Sequence, residues 1–147
     1  MERKPYELSP LTSVEQYPLY RKAIALCVET RLRVAKFNRA CKYDLGADIN
    51  SASTEMMVFV IDGLGFPITM AQDKIDCFKG AYHFLKRINA LLTVANCMNC
   101  ISDRDKALID EHLRDVAGQI RKVSNGLIRR NDENIGAESQ CETRENV

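Results

Sequence analysis

An all-α fold, an antiparallel up-down-up-down four-helix bundle, is what this sequence predicts, and three observations carry the prediction. Apolar residues recur at helical spacing in four successive stretches, each bounded by capping or breaking residues. Hydrophobic residues make up 46% of the 147, enough to fill one core in a chain the size of one ordinary domain. Only 7 residues are glycine and 4 are proline, which argues against collagen-like and turn-dense all-β chains.

Residues 1–12 read as an irregular segment broken by Pro5 and Pro10, residues 13–130 as the bundle, and residues 131–147 as an acidic, disordered tail. Ser13 is the expected N-cap of the first helix, with Gln16 as its capping-box partner and Pro18 in the tolerant first turn. This helix is expected to reach about Phe37, with a stripe of Tyr17, Tyr20, Ile24, Cys27, Val28, Val34 and Ala35. A basic connection, Asn38 to Lys42, leads to a second helix starting near Tyr43 or Asp44. Its stripe is Leu45, Ile49, Ala52, Met56, Phe59, Val60 and Gly63. The run Met56 to Ile61 is apolar on nearly every face, so this helix must bury two faces. One meets its own bundle; the other meets another subunit or covers a second helix. Met57, Val58, Ile61 and Leu64 are the candidate interface residues.

Gly63, Gly65 and Pro67 stop the second helix, with Gly65 as the C′ residue, and Thr69 caps the third. The third stripe is Ile75, Phe78, Ala81, Tyr82, Leu85, Ile88, Leu92 and Ala95. Ser102 caps the fourth helix, whose first turn carries Asp103 and Asp105 at the positive end of the helix dipole. Its stripe is Ile109, Leu113, Val116, Ile120, Val123 and Leu127, and Arg129 and Arg130 close it. No stretch of eighteen apolar residues is present and no apolar leader follows Met1, so neither a spanning helix nor a secretory signal is expected. A cytoplasmic location follows as the expectation.

Chemistry-bearing motifs are sparse. The six cysteines (27, 41, 77, 97, 100 and 141) read as reduced thiols used as small apolar residues. Cys97-Met98-Asn99-Cys100 is a CxxC, but no second pair or histidine pair stands at zinc-site spacing, so no metal is expected. No Glu-x-x-His occurs, against a di-iron bundle. His83 and His112 project away from the apolar stripes and read as surface residues. No converging acid–base set can be assembled, so no enzyme activity and no cofactor are expected.

The charge pattern says more. Lys and Arg total 21 against 20 Asp and Glu, a net of +1. Residues 131–147 hold five acids and one base, leaving 20 bases against 15 acids, a net of +5, in residues 1–130. Arg21, Lys22, Arg33, Lys36 and Arg39 share about a third of the first helix's circumference, and Lys42 extends that face. Lys86 and Arg87 on the third helix and Arg114, Arg121, Lys122 and Arg129 on the fourth complete the candidate nucleic-acid-binding set; Lys79 stands beside them. Such a surface suits phosphates without base specificity. An ordinary solvated face remains the alternative. Arg31 projects into the apolar stripe and could pair with Asp48 or Glu55, or face a channel.

The junction Phe37-Asn38-Arg39-Ala40-Cys41-Lys42-Tyr43-Asp44-Leu45-Gly46-Ala47-Asp48-Ile49 resembles the first inter-helix junction of the Avd family, the accessory variability determinants of diversity-generating retroelements. Asn38 stands where the family carries proline. Lys74 followed by Ala81, Leu85, Ile88 and Leu92 also fits, as does Val116-x-x-Gln119-Ile120 leading into Asn125-Gly126-Leu127. The chain lacks the family's Trp near that end. The resemblance spans about residues 15–130. A sister group, the ribosomal intervening-sequence proteins, carries a Ser-Ile-Pro-like stretch in the second helix; here that region reads Ser51-Ala52-Ser53-Thr54-Glu55-Met56.

The resemblance implies a barrel-shaped homopentamer of four-helix bundles without catalysis of its own. It implies binding to the reverse transcriptase and to template RNA, together with cDNA, in support of mutagenic cDNA synthesis. The competing expectation is an oligomeric four-helix-bundle scaffold of the intervening-sequence type, with no polymerase partner.

Overall fold

The computed structural model describes the backbone of residues 14–145 and the side chains of residues 14–133. The expectations for residues 1–12 and for the Ser13 cap lie outside the described residues. Helices α1 (Pro18–Val34), α3 (Leu45–Gly65), α4 (Ala71–Cys97) and α5 (Asp103–Glu145) form the bundle, and a single helical turn, α2 (Arg39–Lys42), sits between the first two. Helix α1 packs on α3 and α5, and α4 packs on α3 and α5, so the four close a ring around one core. No strand occurs among the described residues.

The core follows the expected stripes on three helices. Ile49, Met56 and Val60 of α3, Phe78, Ile88 and Leu92 of α4, and Ile109 and Val116 of α5 are fully buried. Each such side chain contributes roughly 1.5–3 kcal/mol by leaving water.

Helix α1 departs from expectation. Of the expected stripe only Val34 is buried; Tyr20 and Cys27 are half-buried, and Tyr17, Ile24, Val28 and Ala35 are exposed. The buried face is Leu19, Ala23, Leu26, Thr30 and Val34. Both faces carry apolar residues at i, i+4 spacing, so periodicity finds a helix here but does not choose which face turns inward.

The α1–α2 junction is held by Asn38, whose Oδ1 accepts from the Cys41 amide at 3.0 Å. Phe37 and Cys41 are buried beneath it. Cys41 forms a disulfide with Cys100, in the connection between α4 and α5, with Cα atoms 6.5 Å apart. The expectation of reduced thiols is therefore corrected for this pair. Two connections distant in sequence meet at one end of the bundle, a proximity no spacing rule contains.

Three helix ends also differ from expectation. Gly65 is the last residue of α3 and Phe66 its C-cap, with no glycine in the left-handed region at this end. Lys74 closes this end: its ammonium donates to the carbonyls of Gly63 (2.6 Å), Phe66 (2.7 Å) and Leu64 (3.4 Å). That places a positive charge on the negative end of the α3 dipole. Burial nevertheless lowers the Lys74 pKa, a shift partly offset by Cys77. In place of a Thr69 cap, a 3-10 turn over Ile68–Met70 precedes α4. Ser102 caps α5 as expected, its Oγ accepting from the Asp105 amide at 3.1 Å. Helix α5, expected to close near Arg130, continues to Glu145. No proline interrupts residues 103–145, and Ala, Glu, Gln and Arg favour helix there.

Candidate nucleic-acid interface

The α4–α5 seam gathers charge from two helices. Two adjoining clefts, of about 350 and 490 Å³, share Tyr82, Lys86 and Arg121. Helical periodicity on α4 brings Lys79, Tyr82 and Lys86 to one side, and on α5 it brings Arg114 and Arg121 opposite. The floor is apolar: Phe78, Leu85, Leu113 and Ile120 line it and belong to the core. Ser124 and Asn125 stand at one end, Asn89 and Asp110 at the other.

Electrostatics of the seam are one-sided. Lys79, Lys86, Arg114 and Arg121 are exposed, and none has an ion-pair partner among the described residues. The single lining acid, Asp110, is held by Lys106 at 2.9 Å. The Lys86 ammonium lies 5.6 Å from the Tyr82 ring centroid, a cation–π contact. Arg87 joins Lys86 and His83 at the outer mouth. The geometry can hold a polyanion along the seam and a flat apolar ring on its floor.

The structure divides the sequence-derived set of cations. Lys86, Arg114 and Arg121 come together in the seam, with Arg87 at its edge. Arg21, Lys22, Lys36, Arg39 and Lys42 stand on α1 and α2 or in the connection between them, outside the seam, and Lys122 and Arg129 do not line it. Arg33 is committed elsewhere: it pairs with Glu29 at 3.3 Å and with Asp105 at 3.4 Å, tying α1 to α5. Lys42 lies 6.0 Å from the Tyr43 ring centroid. Arg31 bonds neither Asp48 nor Glu55; it donates to Thr54 Oγ1 at 2.7 Å. Tyr82, Ser124 and Asn125 were missed as site residues. The Tyr82 position looked like core spacing, and no local signal marks the other two. His83, read as a surface residue, is exposed and packs edge-on against Phe84 with centroids 5.5 Å apart.

The proposed interface residues also separate. Met57 is buried in its own bundle, Leu64 is half-buried, and Val58 and Ile61 are exposed. Helix α1 also turns apolar residues outward: Ile24, Val28 and Leu32 are 38%, 50% and 51% exposed at successive i, i+4 positions. This outward stripe is the part of the surface that sequence reading assigned to the core or left unassigned.

Among the described residues three further cysteines stand outside the Cys41–Cys100 disulfide. Burial pushes the Cys27 thiol up, opposed by a hydrogen bond from Ser53 and the charge of Arg31. Burial, then Asp62, Asp73 and Asp76, push Cys77 up. Cys97 is exposed. Among the described residues no group of His, Cys, Asp or Glu is arranged to hold a metal ion, and no helix is long and apolar enough to cross a membrane. No protein-family model matches the chain, and comparison with curated proteins finds no match.

Proposed function

We propose that this chain is a non-enzymatic accessory protein of a diversity-generating retroelement, binding template RNA and the reverse transcriptase in the cytoplasm. The observation that carries the nucleic-acid part is the α4–α5 seam, where four cations without ion-pair partners flank an apolar floor. The retroelement context and the polymerase partner rest on the resemblance of residues 15–130 to the Avd family. Assembly into a homopentamer is part of the same reading. Support for self-association comes from Ile24, Val28 and Leu32 on α1 with Val58 and Ile61 on α3, apolar residues turned to water in the monomer.

Two experiments test this. Crosslinking the tagged protein in its host and sequencing the bound RNA should recover one dominant non-coding RNA encoded beside a reverse-transcriptase gene. Recovery of ribosomal RNA, or of nothing above background, rejects the reading in favour of a polymerase-free scaffold. In vitro, the triple variant Lys86→Glu, Arg114→Glu, Arg121→Glu should lose RNA affinity and flatten the salt dependence by about two units of log–log slope. Arg33→Gln, whose parent charge is already paired, should bind RNA like the wild type. Equal loss in both variants would reject the seam as the binding face.

A further inference from the structure

We infer that the α4–α5 seam takes single-stranded RNA, with bases laid on Tyr82 and phosphates on the flanking cations. The inference rests on the nucleic-acid reading and narrows it to one form of the ligand. Its warrant is the cross-section of the groove. Cations stand on both rims, Lys79 and Lys86 on α4 and Arg114 and Arg121 on α5, while the floor between them is apolar. A duplex turns its phosphates outward and its base faces inward, so it has nothing to place on such a floor. A single strand exposes both, and its base faces match an apolar groove that carries an accessible aromatic ring, Tyr82, whatever their identity.

Tyr82 is where the two features meet. It lines both clefts, its ring is half-buried, and a lysine ammonium lies over that ring. A base arriving on the ring displaces the Lys86 ammonium, which reaches a phosphate on the same rim. The stretch of α4 from Lys79 to Asn89 is about 15 Å long, so the seam spans a few nucleotides. Ser124 and Asn125 at one end and Asn89 at the other offer hydrogen bonds to base edges or to the ribose 2′-hydroxyl.

The test is fluorescence anisotropy with a labelled oligouridine and with an RNA duplex of the same length, at matched salt. The single strand should bind at least about fivefold tighter than the duplex. Tyr82→Leu should weaken the single strand by about fivefold or more, the lower end for loss of one stacked base, and leave the duplex unchanged. Tyr82→Phe should retain wild-type binding. Failure of both RNAs to bind would overturn the nucleic-acid reading itself. Equal binding of both, or a Tyr82→Leu variant that binds normally, would overturn the single-strand inference and leave the broader reading standing. Photocrosslinking of wild-type protein to 4-thiouridine RNA decides the matter if the Leu variant misfolds. The adduct should map to the peptide holding Tyr82, and a map confined to α1 would overturn the inference.

Discussion

Replacing Gly63 by alanine should destabilise the bundle, while the same replacement at Gly118 should stabilise it. The two sites share the helix-propensity gain, about 1 kcal/mol for alanine over glycine inside a helix. They differ in what a methyl group meets. At Gly63, on α3, the new Cβ would lie 2.7 Å from Phe78 Cε1 and 3.0 Å from its Cδ1 and Cζ. Phe78 is wholly buried and cannot swing away. At Gly118, on α5, nothing lies within 4 Å. The contact is one half of a reciprocal arrangement: Gly80 of α4 likewise faces Phe59 of α3, with a Cβ there 2.8 Å from the ring. Each helix offers a glycine to the other's phenylalanine, which lets α3 and α4 pack closely. Overpacking of this kind costs about 1–3 kcal/mol. Gly63→Ala should therefore lose roughly 0–2 kcal/mol net, and the gap to Gly118→Ala should be about 1–3 kcal/mol. That corresponds to roughly 2–4 °C of Tm per kcal/mol in a chain of this size. Urea unfolding at one protein concentration is the assay, since assembly would make stability concentration-dependent. A Phe78→Leu background should remove most of the Gly63→Ala penalty. If Gly63→Ala matches or exceeds Gly118→Ala in stability, the close-packing argument is wrong.

Four further expectations follow from the same structure. Lys74→Met keeps the aliphatic stem but removes the ammonium from three carbonyls at the C-terminal end of α3, and should cost about 1–2 kcal/mol in urea unfolding; no measurable change would refute the capping role. Opening the Cys41–Cys100 bond, by reductant or by Cys100→Ser, releases a 59-residue separation and should cost up to about 4 kcal/mol on the chain-entropy account. Coincident urea midpoints with and without reductant would refute it. In thiol labelling at mildly alkaline pH, Cys97 should react first and Cys27 last of the three described free thiols. Cys27 holds its proton longer in the native state than in the unfolded chain, whose thiol has the ordinary value of 9.0. Its contribution to stability is therefore complete below that value and should decline as pH rises through the raised native value. A Cys27→Ala variant with the same alkaline pH dependence as wild type would contradict this.

The four-helix reading and the core faces of three helices were legible because each is a local property. Ile75, Phe78, Ala81, Leu85, Ile88, Leu92 and Ala95 repeat at one period and face one way, so the chain itself names the buried face of α4. Ser102 announces the start of α5 in the same manner. Helix α1 shows where this logic ends. Its two apolar faces are equivalent to any periodicity argument, and only the position of α3 and α5 against it selects Leu19, Ala23, Leu26 and Thr30 for the core. Of the candidate site, the basic residue types were visible but their grouping was not. Lys86, Arg114 and Arg121 share a groove because two helices bring them together; Arg33 leaves the set because Asp105, far along the chain, sits beside it.

Sequence alone determined that this chain forms four amphipathic helices, where three of them turn apolar, and that its basic excess lies in residues 1–130. Tertiary structure decided which α1 face is outward, that Cys41 meets Cys100, that Gly63 and Gly80 admit phenylalanines, and that Tyr82 lines a cationic seam. The division has one cause. Helical periodicity and capping act between residues within a few positions of each other. Charge pairing, thiol pairing and groove shape act across space, between residues whose distance is set only when the helices pack.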